Sequence, residues 1–138
     1  IADQITYHDY AGTILTRFHP RLAQPFFIPN EELRKKIVRS NEDDQSVLVG
    51  KMVTGEVFIE QDNKKKIIEN HHPKCVDMET ASVAQVCYAN DIPFAAIRSM
   101  SDSPHESGQD AFIKYAVAAA EKSVQVLCRY LDAERLVK

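Results

Sequence analysis

Apolar residues recur along this chain with two different periods, and the alternation between them predicts a sheet covered by helices. Short apolar runs bounded by turn residues indicate strands, and apolar positions three or four residues apart indicate helices. Strands are predicted at residues 1–8, 46–53, 75–78 and 92–99, and helices at residues 30–40, 62–70, 79–90 and 110–131. Because strands and helices take turns, the pattern favours an α/β fold with a mixed or parallel central sheet flanked by helices.

Local signals refine these elements. Asn30 is a preferred N-cap and is followed by Glu31 and Glu32 in the first turn of its helix. Residues 9–29 hold three prolines and few periodic apolar positions, which predicts a long loop. Two later helices have apolar positions at helical spacing, which predict their packing faces: Val83, Val86, Cys87, Phe112, Ile113, Ala116, Val117, Ala120, Val124, Leu127 and Leu131.

Length and composition describe one ordinary globular domain over residues 1–138. Apolar residues make up 44% of the chain and the net charge is -3, which gives no reason to expect nucleic acid or an anionic membrane as a partner. No apolar run approaches the roughly 20 residues of a membrane span. Cys75, Cys87 and Cys128 form no Cys-x-x-Cys spacing and lie in apolar patterns, so we expect reduced thiols and a cytoplasmic location.

Two carboxylates stand where predicted strands end. Glu79 follows the strand at 75–78, and Asp102 follows the strand at 92–99. Ligands of open α/β sheets bind outside the carboxyl ends of the strands. The sequence therefore predicts one polar site at that edge, with both acids facing it.

Each candidate residue also has a simpler interpretation. Glu79 could simply be an acid that interacts favourably with the positive end of the helix dipole, or it could bind the vicinal hydroxyls of a ribose. Asp102 could be a turn-forming acid before Pro104, or a general acid whose pKa is raised by desolvation and by a neighbouring carboxylate. Arg98 could form an ordinary ion pair or position a water molecule, and Phe58 could be a core aromatic or hold a flat heterocycle.

Cofactor motifs are absent from the sequence. His71 and His72 lack a matching Cys or acid spacing, so no metal is expected. No Gly-x-Gly-x-x-Gly or Walker-type loop is present, and we therefore expect no cofactor that needs a pyrophosphate cradle.

Four segments resemble the 5′-methylthioadenosine/S-adenosylhomocysteine nucleosidases of the nucleoside phosphorylase superfamily. Residues 76–81 (VDMETA) resemble the ribose-binding segment, residues 98–102 (RSMSD) the catalytic Ser–Asp segment, and residues 54–59 (TGEVFI) the purine-binding loop. Residues 7–9 (YHD) resemble a segment near the family's dimer contact. The resemblance implies a homodimer that binds a small nucleoside and uses no cofactor.

The catalytic roles implied by the resemblance fall on three residues. Asp102 would donate a proton to nitrogen 7 of adenine as the glycosidic bond breaks, and Ser101 would help to place it. Arg98 would order the attacking water. The chemistry is reasonable because protonated adenine leaves more easily and carboxylates stabilise the developing oxocarbenium charge on the sugar.

The resemblance also implies substrate-binding residues, namely Phe58, Ile59, Asp77, Met78, Glu79 and Phe112. Glu79 would bind the ribose hydroxyls and Met78 would pack on the sugar. Phe58 would stack on the purine, the Ile59 backbone would read its edge, and Phe112 would close over the ligand.

The resemblance covers nearly all 138 residues but corresponds to the later part of the family's domain only. The earlier half, with a Gly-rich strand end and an acid that helps to position water, has no counterpart here. If the chain begins at Ile1, we expect half of the pocket to be missing and no turnover by this stretch alone. A phosphorolytic relative and a non-catalytic nucleoside-binding or assembly fragment remain the alternatives.

Overall fold

The computed structural model describes residues 1–9, 12–17, 21–57, 59, 61–101 and 108–136, with the backbone alone at 61–62 and 108–112. In chain order the elements are β1 (Ala2–Tyr7), α1 (Thr13–Arg17), α2 (Glu31–Arg39), β2 (Gly50–Thr54), α3 (Gln61–His71), β3 (Cys75–Asp77), α4 (Thr80–Ala89) and α5 (Gly108–Leu136).

The three strands form one parallel sheet in the order β1-β2-β3. Tyr7 of β1 pairs with Thr54 of β2, and Thr54 pairs with Asp77 of β3. Each of these residues is the last of its strand, so the carboxyl ends of all three strands meet at one edge. The predicted α/β architecture, with a parallel sheet flanked by helices, is confirmed.

Apolar side chains gather in two clusters. The first lies between β1, β2 and α4 and contains Ala2, Ile5, Leu15, Leu22, Phe27, Met52, Ala81 and Ala84. The second lies between α2 and α5 and is built on Ile1, Ile37 and Val126. Phe27 comes from the predicted long loop, which contains α1 and an antiparallel bridge to Ile5.

The strand predicted at residues 46–53 begins later, because its first residues form a turn. Asp44 accepts hydrogen bonds from the amide (3.1 Å) and the hydroxyl (2.6 Å) of Ser46. The Val47 amide donates to the Asp44 carbonyl oxygen at 2.9 Å. These local bonds use donors that a sheet ladder would need. Pairing therefore starts only at Gly50, and the last three residues of β2 are buried.

The strand predicted at residues 92–99 is not observed. The backbone hydrogen bonds of this segment include one from the Ala2 amide to the Ala96 carbonyl (3.0 Å), one from the Asn30 amide to the Phe94 carbonyl (2.7 Å) and one from the Ile92 amide to the Cys87 carbonyl (2.9 Å). Because these bonds go to different parts of the chain, no ladder forms. The segment still packs with a strand-like alternation of its side chains. Phe94 and Ala96 pack against the first apolar cluster, and Ala95 and Ile97 pack against the second.

The predicted packing faces of α4 and α5 are wrong. Helix α4 buries Ala81 and Ala84, whose small side chains allow close approach to the sheet, and it exposes Val83 and Val86. Helix α5 buries Val126 against α2, while the predicted stripe is exposed at Ile113, Val117, Val124, Leu127 and Leu131. In the described ranges no helix has both the length and the hydropathy that crossing a membrane requires.

Polar contacts fix α5 against the end of α2. The buried side-chain amide of Asn41 donates to the carbonyl oxygens of Ile37 (2.9 Å) and Val126 (3.1 Å). Arg129 of α5 donates to the Asn41 side-chain oxygen at 3.1 Å and to the Asp44 carboxylate at 2.6 Å. The long helix is therefore held by buried hydrogen bonds as well as by apolar contacts.

Candidate functional site

The carboxylate of Asp77 is the centre of the polar edge formed by the strand ends. Its side chain is only 7% exposed. Oδ1 accepts hydrogen bonds from the Thr54 hydroxyl (2.6 Å), the Thr80 amide (3.1 Å) and the Glu79 amide (3.2 Å). Oδ2 accepts from the Thr80 hydroxyl and from Arg98 Nε, the latter at 2.8 Å. Both oxygens are thus engaged within the protein.

These contacts also hold the start of α4. The N-cap residue Glu79 makes no side-chain capping bond of its own. Asp77 instead accepts from the first two amides, and the Thr54 hydroxyl accepts from the Ala81 amide at 2.9 Å. Amides at a helix start have no partner inside the helix, so two strand ends supply the missing acceptors here. Because these amides are satisfied internally, we assign no anion site to this helix start.

Arg98 joins the buried carboxylate to an exposed one. Its Nε donates to Asp77, and its Nη2 donates to Glu79 Oε2. Burial lowers the pKa of the Arg98 guanidinium, but hydrogen bonds to Asp77 and Glu79 outweigh burial and the net pKa is raised. Residues 77–79 and Arg98 are therefore brought together.

Asp77 remains an anion in this arrangement. Burial raises the pKa of its carboxyl, whereas hydrogen bonds from two threonine hydroxyls and from Arg98 lower it. The hydrogen bonds dominate, so the pKa of Asp77 lies below its ordinary value. A carboxylate that is ionised and fully engaged is suited to holding neighbouring groups in place.

The Glu79 side chain is 65% exposed, whereas the Asp77 side chain is almost completely buried. Met78, between the two acids, is also exposed. An exposed carboxylate held on one side by a guanidinium can accept hydrogen bonds from a ligand's hydroxyl groups. The edge therefore has one buried acid that is fully engaged within the protein and one exposed acid that is accessible from outside.

Ser101 and Arg98 line a cavity of about 490 Å³, together with Tyr115 of α5 and Cys75 of β3. Cavities of this size are typical of small-molecule sites. The cavity reaches Arg98 but not Glu79, so it contacts the ionic cluster from one side only.

Ile59 lines a second, smaller cavity of about 190 Å³ together with His8 and Asp9. Asp9 Oδ2 accepts a hydrogen bond from the Glu56 amide at 2.7 Å, which ties the loop after β2 to the end of β1. The loop predicted to bind a purine therefore starts at the same edge as the acidic cluster.

The predicted site residues fall into three groups. Asp77, Glu79 and Arg98 are in mutual contact, Met78 lies between the two acids in the chain, and Ser101 and Ile59 each line a cavity. Asp102 and Phe58 lie outside the described residues, as does the side chain of Phe112 in α5. Among the described residues, no group of three or more His, Cys, Asp or Glu could hold a metal ion.

Sequence reasoning missed the two threonines of the cluster. Thr54 ends β2 and Thr80 begins α4, and both side chains bind Asp77. Thr54 could have been found from the sequence, because it is a polar residue at the end of a mostly apolar strand.

Comparison with known proteins gives a consistent assignment. The family model described as the phosphorylase superfamily matches residues 1–132. The chain is 30% identical over 137 residues to the 5′-methylthioadenosine/S-adenosylhomocysteine nucleosidase of Glaesserella parasuis serovar 5, covering 96% of this chain and 60% of that protein. It is 28% identical to the Lysinibacillus sphaericus protein of the same name, covering 94% of this chain and 59% of that protein.

Solved structures agree with this assignment. The S-adenosylhomocysteine nucleosidase of Streptococcus pyogenes in complex with 5-methylthiotubericidin is similar with a TM-score of 0.82 and 26% identity, over 96% of this chain and 58% of that one. The corresponding Streptococcus pneumoniae nucleosidase, with the transition-state inhibitor MT-ImmA, gives a TM-score of 0.79 and 30% identity over 94% and 59%. The chain thus spans about 60% of the length of the curated relatives it matches.

Proposed function

Because the chain belongs to the phosphorylase superfamily, we propose that it acts in hydrolysis of the N-glycosidic bond of 5′-methylthioadenosine and S-adenosylhomocysteine, releasing adenine. Relatives named as nucleosidases for these two compounds align with 94–96% of the chain. The observation that carries the proposal is the double contact of Arg98 with Asp77 and Glu79. It joins the segment proposed to bind ribose to the segment that leads into Asp102.

Ribose binding is assigned to Glu79. The exposed carboxylate would accept hydrogen bonds from the two vicinal hydroxyls, and the contact with Arg98 would keep it oriented. Met78 would pack on the sugar. Asp77, whose oxygens are engaged within the protein, would position these groups rather than touch the substrate.

Proton donation is assigned to Asp102, assisted by Ser101. As the glycosidic bond stretches, positive charge develops on the sugar and negative charge on the adenine. A proton given to nitrogen 7 neutralises the leaving group, and carboxylates near the sugar stabilise its oxocarbenium character. Water then adds to the sugar, and we assign Arg98 a part in holding that water.

Base recognition is assigned to the loop after β2 and to the start of α5. Phe58 would stack on the purine, and the Ile59 backbone would bind its edge. Phe112 would close over the ligand. The tie between Asp9 and the Glu56 amide supports this part of the proposal, because it anchors the loop to the strand ends.

The test is adenine release from both nucleosides, with ligand binding measured in parallel. The Asp102→Asn variant keeps the side-chain shape without a transferable proton, so it should lose turnover and keep nucleoside binding. Asp132→Asn, at an exposed position of α5, is the matched control and should behave as wild type. A wild-type protein that neither releases adenine nor binds either nucleoside refutes the proposal. Turnover that requires phosphate would identify the phosphorolytic alternative instead.

A second candidate is nucleoside binding without turnover. The observation that favours it is the exposed Glu79 carboxylate held by Arg98, which can bind hydroxyl groups without any proton donor. Binding of 5′-methylthioadenosine with no adenine release, at protein concentrations far above that of a turnover assay, would support this function over the first.

The proposal includes a cytoplasmic homodimer. The resemblance of residues 7–9 to a segment near the family's dimer contact motivates the dimer, and the cysteine usage motivates the location. Sedimentation equilibrium and cell fractionation test the two statements separately.

A further inference from the structure

We infer that the buried hydroxyl of Thr54 is a positioning group for Glu79 and acts through the carboxylate of Asp77. This inference rests on the proposed function, because it takes Glu79 as the group that binds ribose. Thr54 itself is too deeply placed to contact a ligand, since only 1% of the residue is exposed.

Both hydrogen-bonding functions of the Thr54 hydroxyl are used. It donates to Asp77 Oδ1 at 2.6 Å and accepts from the Ala81 amide at 2.9 Å. A hydroxyl has one proton, so its orientation is fixed once both bonds form. The end of β2 is thereby tied to the end of β3 and to the first turn of α4.

The constraint passes from Asp77 to Glu79 by two routes. Asp77 Oδ1 accepts from the Glu79 amide at 3.2 Å, which fixes the backbone that carries the ligand-facing carboxylate. Asp77 Oδ2 accepts from Arg98 Nε at 2.8 Å, and the same guanidinium binds Glu79. A rotation of the Asp77 carboxylate would disturb both routes together.

The hydroxyl, rather than the shape of the side chain, is what this position requires. Valine fills nearly the same volume but can neither donate to Asp77 nor accept from the Ala81 amide. It would leave one buried amide without its acceptor and one carboxylate oxygen with fewer donors. Serine keeps both bonds, although it lacks the methyl group.

The experiment compares nucleoside and adenine binding in four variants of the whole chain. Calorimetry gives Kd values for 5′-methylthioadenosine and for adenine, which has no sugar. Thr54→Val should raise the nucleoside Kd about tenfold and leave the adenine Kd unchanged. Thr54→Ser should restore the wild-type ratio of the two Kd values. Thr54→Cys, with a weak thiol donor, should give a smaller change in the same direction and is available if the valine variant does not fold.

Thr6→Val is the matched control. Thr6 is a buried threonine of β1 whose hydroxyl donates to the Pro25 carbonyl at 2.6 Å, away from the acidic cluster. Its replacement removes a buried threonine hydroxyl, as at Thr54, and should leave the Kd ratio unchanged. An unchanged ratio in both Thr54→Val and Thr54→Cys, or an equal change in Thr6→Val, overturns the inference.

A second measurement separates this inference from the proposed function. If the wild-type chain binds neither compound, the proposed function fails, and the NMR signal of Arg98 Nε–H then tests the positioning geometry alone. A shift or faster hydrogen exchange of that signal in Thr54→Val, absent in Thr54→Ser, supports the route through Asp77. A signal that stays unchanged in Thr54→Val contradicts it.

Discussion

Replacing Asp77 with asparagine tests the polar edge directly, because the substitution keeps the shape of the side chain and removes its charge. The asparagine oxygen can still accept from the Thr54 hydroxyl and from the two amides at the start of α4. The new NH₂ group, however, replaces the oxygen that accepts from Arg98 Nε at 2.8 Å and from the Thr80 hydroxyl. The NH₂ group of the asparagine and the Nε–H group of Arg98 are both hydrogen-bond donors, so they cannot bond to each other.

The magnitude follows from the burial of the two partners. Breaking a buried ion pair by removing one partner costs about 3–5 kcal/mol. The Arg98 side chain is 34% exposed and keeps its contact with Glu79, so solvent screens part of the loss. We therefore expect Asp77→Asn to lower the free energy of unfolding by about 2 kcal/mol at pH 7.

The same substitution has a predicted pH dependence. The pKa of Asp77 is lowered in the folded protein, because its hydrogen bonds outweigh the opposing effect of burial. A group with a lowered folded pKa stabilises the protein above its unfolded pKa of about 3.9, and that contribution is lost as pH falls through the folded pKa. Asparagine does not titrate, so the difference between wild type and variant should shrink below about pH 4.

Urea unfolding followed by circular dichroism at pH 7, 5 and 3.5 measures this difference, provided that the slope of the unfolding free energy with urea is unchanged. Asp132→Asn is the control, since Asp132 is 70% exposed and faces Arg135 at 3.9 Å. It should change the unfolding free energy by less than about 0.5 kcal/mol. A loss in Asp77→Asn that is equally small, or that persists undiminished at pH 3.5, refutes the assigned role of Asp77.

Three further substitutions test other parts of the structure. Asn41→Ala removes three hydrogen bonds at the end of α2, two of which join it to Val126 and Arg129 of α5, and should lower the unfolding free energy by about 2 kcal/mol in urea titrations; a wild-type midpoint would contradict this. Gly55→Ala places a methyl group where it overlaps the His8 ring, so thermal unfolding should show a loss of about 1–3 kcal/mol, and an unchanged melting temperature would exclude this contact. Glu79→Gln should raise the Kd for 5′-methylthioadenosine about tenfold and hardly affect a deoxyribose analogue; equal effects on both compounds would exclude Glu79 from ribose binding.

Much of the fold could be predicted because it depends on short-range signals. Asn30 caps α2 as expected, accepting from the Leu33 amide at 2.9 Å. The alternation of strands and helices predicted a sheet of the observed kind, and the apolar run that stops before Glu79 predicted a strand close to the observed β3, which ends at Asp77. Such signals lie within a few residues of one another, so the chain carries them before it folds.

The packing faces of the helices could not be predicted in the same way. Valines at helical spacing predicted the buried face of α4, yet the sheet is approached through Ala81 and Ala84. Hydrophobicity identifies residues that gain from burial, whereas the distance between helix and sheet decides which of them fit. That distance is a property of two elements and cannot be read from either sequence alone.

The polar edge shows the same division. The sequence by itself determined that Glu79 and Asp102 each follow an apolar run and that Arg98 lies shortly before Asp102, and it thereby predicted a polar edge at the strand ends. Only the parallel register decided that Thr54 lies beside Asp77, so that one acid is buried and engaged while its neighbour Glu79 is left exposed and held by Arg98. The physical reason is that register results from pairing residues far apart in the chain, and a shift of one position would turn the Thr54 hydroxyl to the opposite face of the sheet.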